Sequence, residues 1–283
     1  MQEIKIHTKI LELKTGKPLV SVIVPTFNSS LTLEDCLSAI ILQTYHNIEI
    51  IVVDNYSKDG TTAIAKKFTS GIFQINELRS VARNYGAKRA HGDYLLFLDA
   101  DMKLTPNVID ECVLKSTKLH ANAIMIPEIR VVNGFWGKCR AIERLTYVGD
   151  PLIESARFFK KTAFEGIGGF DKDLEAGEDW DLHARIEAAG NKLSSVTAYI
   201  EHHEEQLSLK KIIIKRYYYG KTLLKYIRKH SERSKIQFSP VRLNYVRKWR
   251  ILASDPLHAS GMFFLKILEY FATSVAIFST LIQ

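Results

Sequence analysis

Two aspartates, Asp99 and Asp101, directly follow an apolar run and are separated by one residue. The run, residues 94–98, is apolar and aromatic throughout, which predicts a strand buried on both faces. Because side chains at positions i and i+2 of an extended segment point the same way, we expect the two carboxylates to lie together. Such a pair suits Mg²⁺ or Mn²⁺ carrying a phosphate-bearing ligand. The structural alternative is a strand-to-turn junction in which each Asp only makes local hydrogen bonds.

The first half of the chain alternates strand-like apolar runs with helix-like segments. We predict strands over residues 19–24, 48–53, 72–75, 94–98 and 121–126. Helices are predicted from Asn28 or Ser29 to about Thr44, from 61 to 67, from 79 to 90, and from Thr105-Pro106 onward. This α/β rhythm with short connections predicts a mostly parallel sheet with helices on both faces.

Polar clusters follow three of these strands, at residues 25–28, 54–57 and 99–101. In open parallel sheets, ligands bind beyond the carboxyl ends of the strands. Three polar clusters at one edge therefore predict a ligand site there.

The second half has a less regular pattern. We predict an irregular, mobile segment over residues 128–147, a strand over 157–160 and a helix over 179–189. A last strand, over 192–200, leads to His202 and His203. Because this strand would belong to the same sheet, either histidine is a candidate third metal ligand, since imidazole is an acceptable ligand for Mn²⁺.

Cysteine content and the amino-terminal residues indicate the compartment. Cys36, Cys112 and Cys139 are far apart and odd in number, without metal-binding or disulfide spacing, which favours a reducing environment. Residues 1–17 are polar and charged, so we expect no signal peptide.

Charge is unevenly distributed. Residues 207–250 contain fourteen Lys or Arg and one acid, Glu232, although the whole chain has a formal charge of only +8. The rest of the chain is therefore mildly acidic. A basic segment of this kind indicates an anionic partner, either a membrane surface or a nucleic acid, but nothing in the chain resembles a nucleic-acid reading module.

The carboxyl-terminal region is predicted to attach to a membrane. Residues 207–229 interleave Ile, Leu and Tyr with Lys and Arg at helical spacing, as expected at an anionic membrane surface. Residues 261–282 are nearly long enough to span a bilayer, but Lys266, Glu269, Thr273 and Thr280 form a polar stripe. We therefore favour monotopic attachment over a single span. The expected division is a catalytic domain over residues 1–205 and a helical membrane-attachment region over 206–283.

Five motifs stand in order along the chain: Val22-Ile-Val-Pro-Thr-Phe-Asn28, Ile51-Val-Val-Asp54, Ala82-Arg-Asn-Tyr-Gly86, Asp99-Ala-Asp101 and Gly177-Glu-Asp179. Together they resemble the motifs of family 2 glycosyltransferases, which have the Rossmann-like GT-A fold. The resemblance covers roughly residues 18–205.

The resemblance implies roles for individual residues. Nucleotide contacts are implied for Pro25, Thr26, Asn28, Asp54, Arg83 and Asp99, with Asp54 on the base and Asp99 beside the ribose and the metal. Asp101 would bind the divalent cation, with Asp99 and His202 as further candidate ligands and His203 as the alternative to His202. Asp179 would be the general base, with Glu178 and Asp181 as competitors, and an acid in the first turn of a helix can also be purely structural.

Departures from the family pattern bear on the substrates. Asn55-Tyr56-Ser57 follows Asp54 where the family commonly has a second Asp and then Gly-Ser, which leaves the nucleotide open; we favour a UDP-sugar over a GDP-sugar. The Gln-x-x-Arg-Trp signature of processive synthases is absent, which predicts transfer of one sugar per encounter.

The sequence thus predicts an inverting, Mn²⁺- or Mg²⁺-dependent glycosyltransferase at the cytoplasmic face of a membrane, with a lipid-linked or other membrane-borne acceptor. The alternative hypothesis is a catalytically inactive scaffold that binds nucleotide-sugars at the membrane.

Overall fold

A computed structural model describes residues 16–203, 208–239 and 242–282 of the chain. Its strands are β1 Val20–Thr26, β2 Ile48–Asp54, β3 Ile72–Gln74, β4 Tyr94–Phe97, β5 Met102–Leu104, β6 Ala123–Met125, β7 Glu128–Val131, β8 Ala156–Lys160, β9 Leu193–Ser195 and β10 Ile200–His203. Its helices are α1 Leu33–Ile41, α2 Thr61–Ala65, α3 Arg79–Arg89, α4 Val108–Leu119, α5 Phe135–Tyr147, α6 Lys161–Gly166, α7 Glu178–Ala188, α8 Leu209–Lys229, α9 Ser231–Gln237, α10 Leu243–Arg247, α11 Trp249–Ser254 and α12 Pro256–Ile282.

A seven-stranded sheet forms the centre, with the strand order β3-β2-β1-β4-β8-β6-β9. All neighbouring strands are parallel except β8, which runs antiparallel to both β4 and β6. The side chains of β1 alternate between two cores: Val22 and Val24 belong to one, and Ile23 belongs to the other. The sheet is therefore covered on both faces, as the apolar runs of the sequence predict.

A small second sheet, β5-β10-β7, lies next to the carboxyl end of β4. Strand β10 is antiparallel to β5 and parallel to β7. Since β5 begins at Met102, immediately after Asp101, this sheet brings His202, opposite Met102, close to the aspartates.

Two predictions about the second half of the chain are wrong. Residues 128–147, expected to be irregular, form β7 and α5, because Cys139 and Ile142 of α5 pack on Met262 of α12, far along the chain. The single strand expected over residues 192–200 is divided: β9 pairs with β6 in the large sheet, whereas β10 pairs in the small one. Long-range pairing, which local sequence does not encode, decides both cases.

The carboxyl-terminal helix α12 packs against α8 and α5. Glycines permit the close approach: a Cβ on Gly220 of α8 would lie 2.7 Å from the Ala276 Cβ, and one on Gly261 would lie 2.6 Å from the Cys139 Sγ. The domain boundary predicted at residue 205 lies outside the described residues, as do residues 1–15 of the segment expected to contain no signal peptide.

Helix α12 has its charged residues inside and many of its large apolar residues outside. Glu269 is only 4% exposed and receives ion pairs from Lys266, at 3.1 Å, and from Arg216 of α8, at 3.0 Å. The large exposed residues of the helix are apolar: Leu257, Phe263, Phe264, Ile267, Phe271, Val275 and Phe278. By length and composition, the 25 residues Pro256–Thr280 form the one helix among the described residues that could cross a membrane.

Candidate functional site

The loops after β1 and β2 form one side of the site. In-register pairing of β1 with β2 places Thr26 opposite Asp54, so both strands end at the same level. Asn28 and Tyr56 then adopt left-handed backbone conformations, with φ of 47° and 50°. The Asn28 amide donates to the Ser57 Oγ at 2.8 Å, and the Asn28 Oδ1 accepts from the Lys58 amide at 2.9 Å. The two loops are therefore held together as one surface.

Asp54 is completely buried beneath these loops. Its Oδ1 accepts from the Thr26 hydroxyl at 2.8 Å, while its Oδ2 accepts from the Ser57 amide at 2.9 Å and from the Gln74 Nε2 at 3.2 Å. Both oxygens of the carboxylate are thus engaged within the protein. In this structure Asp54 shapes the loops rather than presenting a free acceptor for a nucleotide base.

Arg83 of α3 lies at the centre of an ion-pair cluster. Its Nη2 donates to Asp99 at 2.6 Å, and its Nη1 donates to Asp179 at 2.8 Å and lies 3.3 Å from Glu178. The side chain is fully buried, and the guanidinium lies 5.1 Å from the ring centroid of Phe170. A side chain with no exposed surface thus joins acids to each other, and the nucleotide contact that the resemblance implied for Arg83 stays a prediction.

The acids in this cluster differ in their pKa values. Burial alone would raise the pKa of Asp99, but the guanidinium groups of Arg83, Arg79 and Arg157 outweigh it and hold that pKa well below its usual range. Burial and the neighbouring Asp179 raise the pKa of Glu178, despite the attraction of Arg79 and Arg83.

Three acids at the start of α7 were candidates for the general base, and their exposure distinguishes them. The side chain of Asp179 is 31% exposed and lines a cavity of about 210 Å³ that Arg79, Arg157 and Trp180 also line. Glu178 is 4% exposed, and Asp181 is fully buried in ion pairs with Arg185, Lys229 and His230. Asp179 is thus the most accessible of the three carboxylates.

Asp101 lies next to His202, as the small sheet requires. The distance from the His202 Nε2 to the Asp101 Oδ2 is 3.0 Å, and that from the His202 Nδ1 to the Glu128 Oε1 is 2.9 Å. Although burial acts to lower it, these two carboxylates raise the pKa of His202 to about 9. The neighbouring His203 instead contacts Glu201, at 3.0 Å. The structure therefore brings His202, rather than the His203 side chain, to Asp101.

The residues present fit a divalent cation in part. Among the described residues, no group of three or more His, Cys, Asp or Glu side chains is arranged to hold a metal. Asp101 and His202 nevertheless offer one oxygen and one nitrogen at a single place, and Glu128 orients the far ring nitrogen, as outer carboxylates do for metal-binding histidines. Mn²⁺ or Mg²⁺ bound there would need further oxygen ligands, which a diphosphate can supply.

Asp99 and Asp101 do not lie on the extended strand from which their pairing was expected, and that pairing stays a prediction. Strand β4 ends at Phe97, and the chain turns at residues 100–101, so the rule for alternating side chains no longer applies. Asp99 contacts Arg83, whereas Asp101 contacts His202.

Sequence reasoning missed Arg157 and Glu128, which connect these groups. The Arg157 Nη2 lies 3.2 Å from Glu128, and its Nη1 lies 3.8 Å from Asp99, so this side chain bridges the ion-pair cluster and the histidine. In the sequence, Arg157 is an isolated charge at the start of an apolar strand. Such a charge does not indicate a buried ion pair unless its partner is known.

Comparisons with known proteins agree with this architecture. Residues 21–174 match the family described as Glycosyl transferase family 2. An uncharacterized glycosyltransferase of Rickettsia typhi is 34% identical over 194 residues, which cover 59% of this chain and 58% of that protein. The poly-β-1,6-N-acetyl-D-glucosamine synthase of Staphylococcus epidermidis is 27% identical over 188 residues, covering 58% of this chain and 45% of that protein. The chain thus spans about half the length of these curated relatives.

Solved structures share the fold at low sequence identity. The mannosyltransferase PcManGT of Pyrobaculum calidifontis, solved with GDP-Man and Mn²⁺, has a TM-score of 0.67 and 19% identity, covering 94% of this chain and 88% of that one. Residues 1–349 of S. aureus TarS, solved with UDP-GlcNAc, have a TM-score of 0.57 and 17% identity, covering 93% and 89%. The mixed α/β architecture, with its mostly parallel central sheet, matches these GT-A folds.

The Arg83 cluster predicts a large stability effect. Arg83→Met would leave Asp99, Asp179 and Glu178 partly uncompensated, and we expect the free energy of unfolding in urea to fall by about 3–5 kcal/mol. Lys88→Met, at an exposed position on the same helix, is the matched control and should change stability by less than about 0.5 kcal/mol. Equal stability of the two variants would contradict the role assigned to Arg83.

Buried His183 predicts a pH dependence. Its Nδ1 accepts from the Ala156 amide at 3.2 Å, which ties α7 to β8, and burial lowers its pKa to about 4. Because protonation then favours the unfolded chain, stability is lost as the pH falls from about 6.5 toward 4.

We expect the free energy of unfolding to fall by about 2 kcal/mol more for the wild type than for His183→Gln between pH 7 and pH 5. Parallel pH profiles for the two proteins would show that His183 does not titrate in this way.

Proposed function

The chain belongs to glycosyl transferase family 2, and on that premise we propose that it transfers one sugar from a nucleotide-sugar donor to a hydroxyl group of a membrane-borne acceptor, with inversion at the sugar carbon. The observation that carries the proposal is the position of Asp179, whose partly exposed carboxylate lines a cavity next to the Asp99 and Arg157 ion pairs.

Asp179 is proposed as the general base. Its Oδ1 is held by Arg83 at 2.8 Å, which fixes the orientation of the carboxylate and leaves the Oδ2 to accept the proton of the attacking hydroxyl. A single displacement needs one base and no covalent nucleophile, because the acceptor oxygen attacks the sugar carbon from the face opposite the leaving group. The exposures of Glu178 and Asp181 support this choice over either neighbour.

The donor side is proposed to lie at the ends of β1, β2 and β4. There, Pro25, Thr26 and Asn28 contribute the loop surface, Asp54 supports it from below, and Asp99 lies beside the ribose. A UDP-sugar is the favoured donor and a GDP-sugar the alternative. One fold neighbour was solved with UDP-GlcNAc and another with GDP-Man, so the fold is compatible with either nucleotide.

A divalent cation is proposed at Asp101 and His202. Mn²⁺ or Mg²⁺ would supply Lewis-acid stabilisation of the departing diphosphate. Asp99, the other metal ligand considered from the sequence, is less suited, because its carboxylate already contacts Arg83 and Arg157.

Membrane attachment is proposed to be peripheral or monotopic, on the cytoplasmic face. The exposed apolar side of α12 supports it, as does the excess of Lys and Arg over residues 207–250, since such a surface suits anionic lipid. A polar stripe that packs on α8 and α5 favours a helix lying in the interface over one that crosses alone.

The catalytic proposal assigns different roles to Asp179 and Asp101, so their variants should differ. We expect Asp179→Asn to lower turnover by about 10²–10⁴-fold with donor binding retained, because it removes the proton acceptor. Asp101→Asn should instead weaken Mn²⁺-dependent donor binding. Release of nucleoside diphosphate measures turnover, and calorimetry with Mn²⁺ and UDP-, GDP- or dTDP-sugars measures binding.

Asp173→Asn, at an exposed position, is the control for the loss of one negative charge. Full turnover by Asp179→Asn would refute the base assignment. Donor binding without diphosphate release by the wild type would favour the inactive scaffold.

The membrane proposal predicts loss of lipid binding on changing the outer side of α12. The wild-type chain should float with liposomes containing anionic lipid, whereas Phe264→Glu, Ile267→Glu and Phe271→Glu together should abolish flotation. A matched control changes three exposed leucines of the catalytic body to Glu, at Leu42, Leu114 and Leu119. Tighter binding of the wild type to RNA or DNA than to anionic lipid would favour a nucleic-acid partner instead.

A further inference from the structure

A second, larger cavity of about 450 Å³ lies between α5, α8 and α12, within the size range of small-molecule sites. Arg144, Ile153 and Trp180 line both this cavity and the one that contains Asp179. The Trp180 indole donates to the Ile153 carbonyl at 2.9 Å, so these two residues form a fixed part of the shared wall. The larger cavity is therefore adjacent to the proposed base.

The polar lining of this cavity has an excess of positive charge. Its charged residues are the cations Arg130, Arg140, Arg144, Arg216, Arg242 and Lys266 and the acids Glu143 and Glu269. Glu269 is shared by Arg216 at 3.0 Å, Lys266 at 3.1 Å and Arg140 at 3.6 Å. Glu269 thus contacts three cations, Lys266 also pairs with Glu143, and Arg144 pairs with Glu128 at 3.3 Å, outside this lining.

Arg140 is only partly compensated by these acids, with Glu269 at 3.6 Å. Its Nε is buried and has no hydrogen-bond partner among the described residues. Burial and the neighbouring cations Arg130 and Arg216 lower its pKa, outweighing Glu269 and Glu143. A buried donor with no acceptor, among like charges, costs free energy that a bound anion would recover.

Another part of the lining is apolar. Leu223 and Ile227 of α8, Phe238 after α9, and Ile277 of α12 contribute aliphatic and aromatic surface to the same cavity. A small inorganic anion would leave this surface without a partner, whereas a plain hydrocarbon would leave the guanidinium groups without one. The lining therefore matches a ligand that has both parts.

We propose that this cavity binds the acceptor, and that the acceptor is an amphiphile with a phosphate group joined to an apolar chain. The assignment rests on the proposed function, since only a glycosyl transfer at Asp179 makes a neighbouring cavity an acceptor site. The phosphate lies at Arg140 and Arg216, the chain lies along Leu223, Ile227 and Ile277, and the hydroxyl end passes the Trp180 wall to Asp179.

Trp180 provides a direct test that needs no donor. In the full chain carrying Trp136→Phe and Trp249→Phe, Trp180 is the remaining tryptophan, and its fluorescence reports the cavity. We expect saturable binding of monododecyl phosphate below its micelle concentration, with dodecanol and inorganic phosphate each binding at least tenfold more weakly. Arg140→Gln should weaken dodecyl phosphate binding about tenfold or more, because a charge-assisted hydrogen bond is lost, whereas the exposed Arg247→Gln should not.

Each other outcome overturns part or all of the proposal. Equal affinity for dodecanol refutes the anion site, equal affinity for inorganic phosphate refutes the apolar site, and no response to dodecyl phosphate refutes the cavity. Equal affinity of Arg140→Gln and the wild type refutes the position of the phosphate. Donor binding to the same protein is measured separately with UDP-sugar and Mn²⁺, so failure of the proposed function is seen independently.

Discussion

The buried guanidinium of Arg83 is the interaction on which the site depends. It contacts Asp99, which follows β4, and Glu178 and Asp179, which begin α7 about eighty residues later. A buried charge without its partners costs a large amount of free energy. The end of β4 and the start of α7 are therefore held in fixed positions relative to each other. Arg157 extends the same network to Glu128 and, through it, to His202. The accessible Asp179 carboxylate and the candidate metal ligands are thus parts of one connected set of ion pairs.

Much of the fold follows from local pattern. Strands β1, β2 and β4 are predominantly apolar, interrupted in their interiors only at Ser21 and Glu49, and their largely buried position confirms the mostly parallel sheet expected from them. The errors come where pairing partners are distant. Helix α5 needs Met262 to complete its apolar contacts, and the chain between β9 and β10 leaves one sheet for another. Neither the packing of α5 nor the change of sheet can be recognised from the local sequence pattern.

The candidate site was predictable in its residue types but not in its contacts. The motif order indicated Asp101 and Asp179, the predicted strand over residues 192–200 indicated His202 or His203, and the structure brings His202 to Asp101 through the small sheet. The same motifs implied nucleotide contacts for Arg83 and Asp54, which stay predictions; the structure shows both side chains fully buried and paired within the protein. A sequence lists which charges exist, whereas burial decides which of them face a ligand and which neutralise one another. That distinction depends on side-chain packing between segments far apart in the chain.

The inward polar stripe of α12 makes the charge balance of this helix depend on the assembly of the rest of the protein. Lys266 and Glu269 find their partners, Glu143 and Arg216, on α5 and α8, which lie earlier in the chain. A helix with these two charges unpaired would resist transfer to an apolar environment. Packing on α5 and α8 is therefore what leaves α12 with an outer side that carries no charged residue.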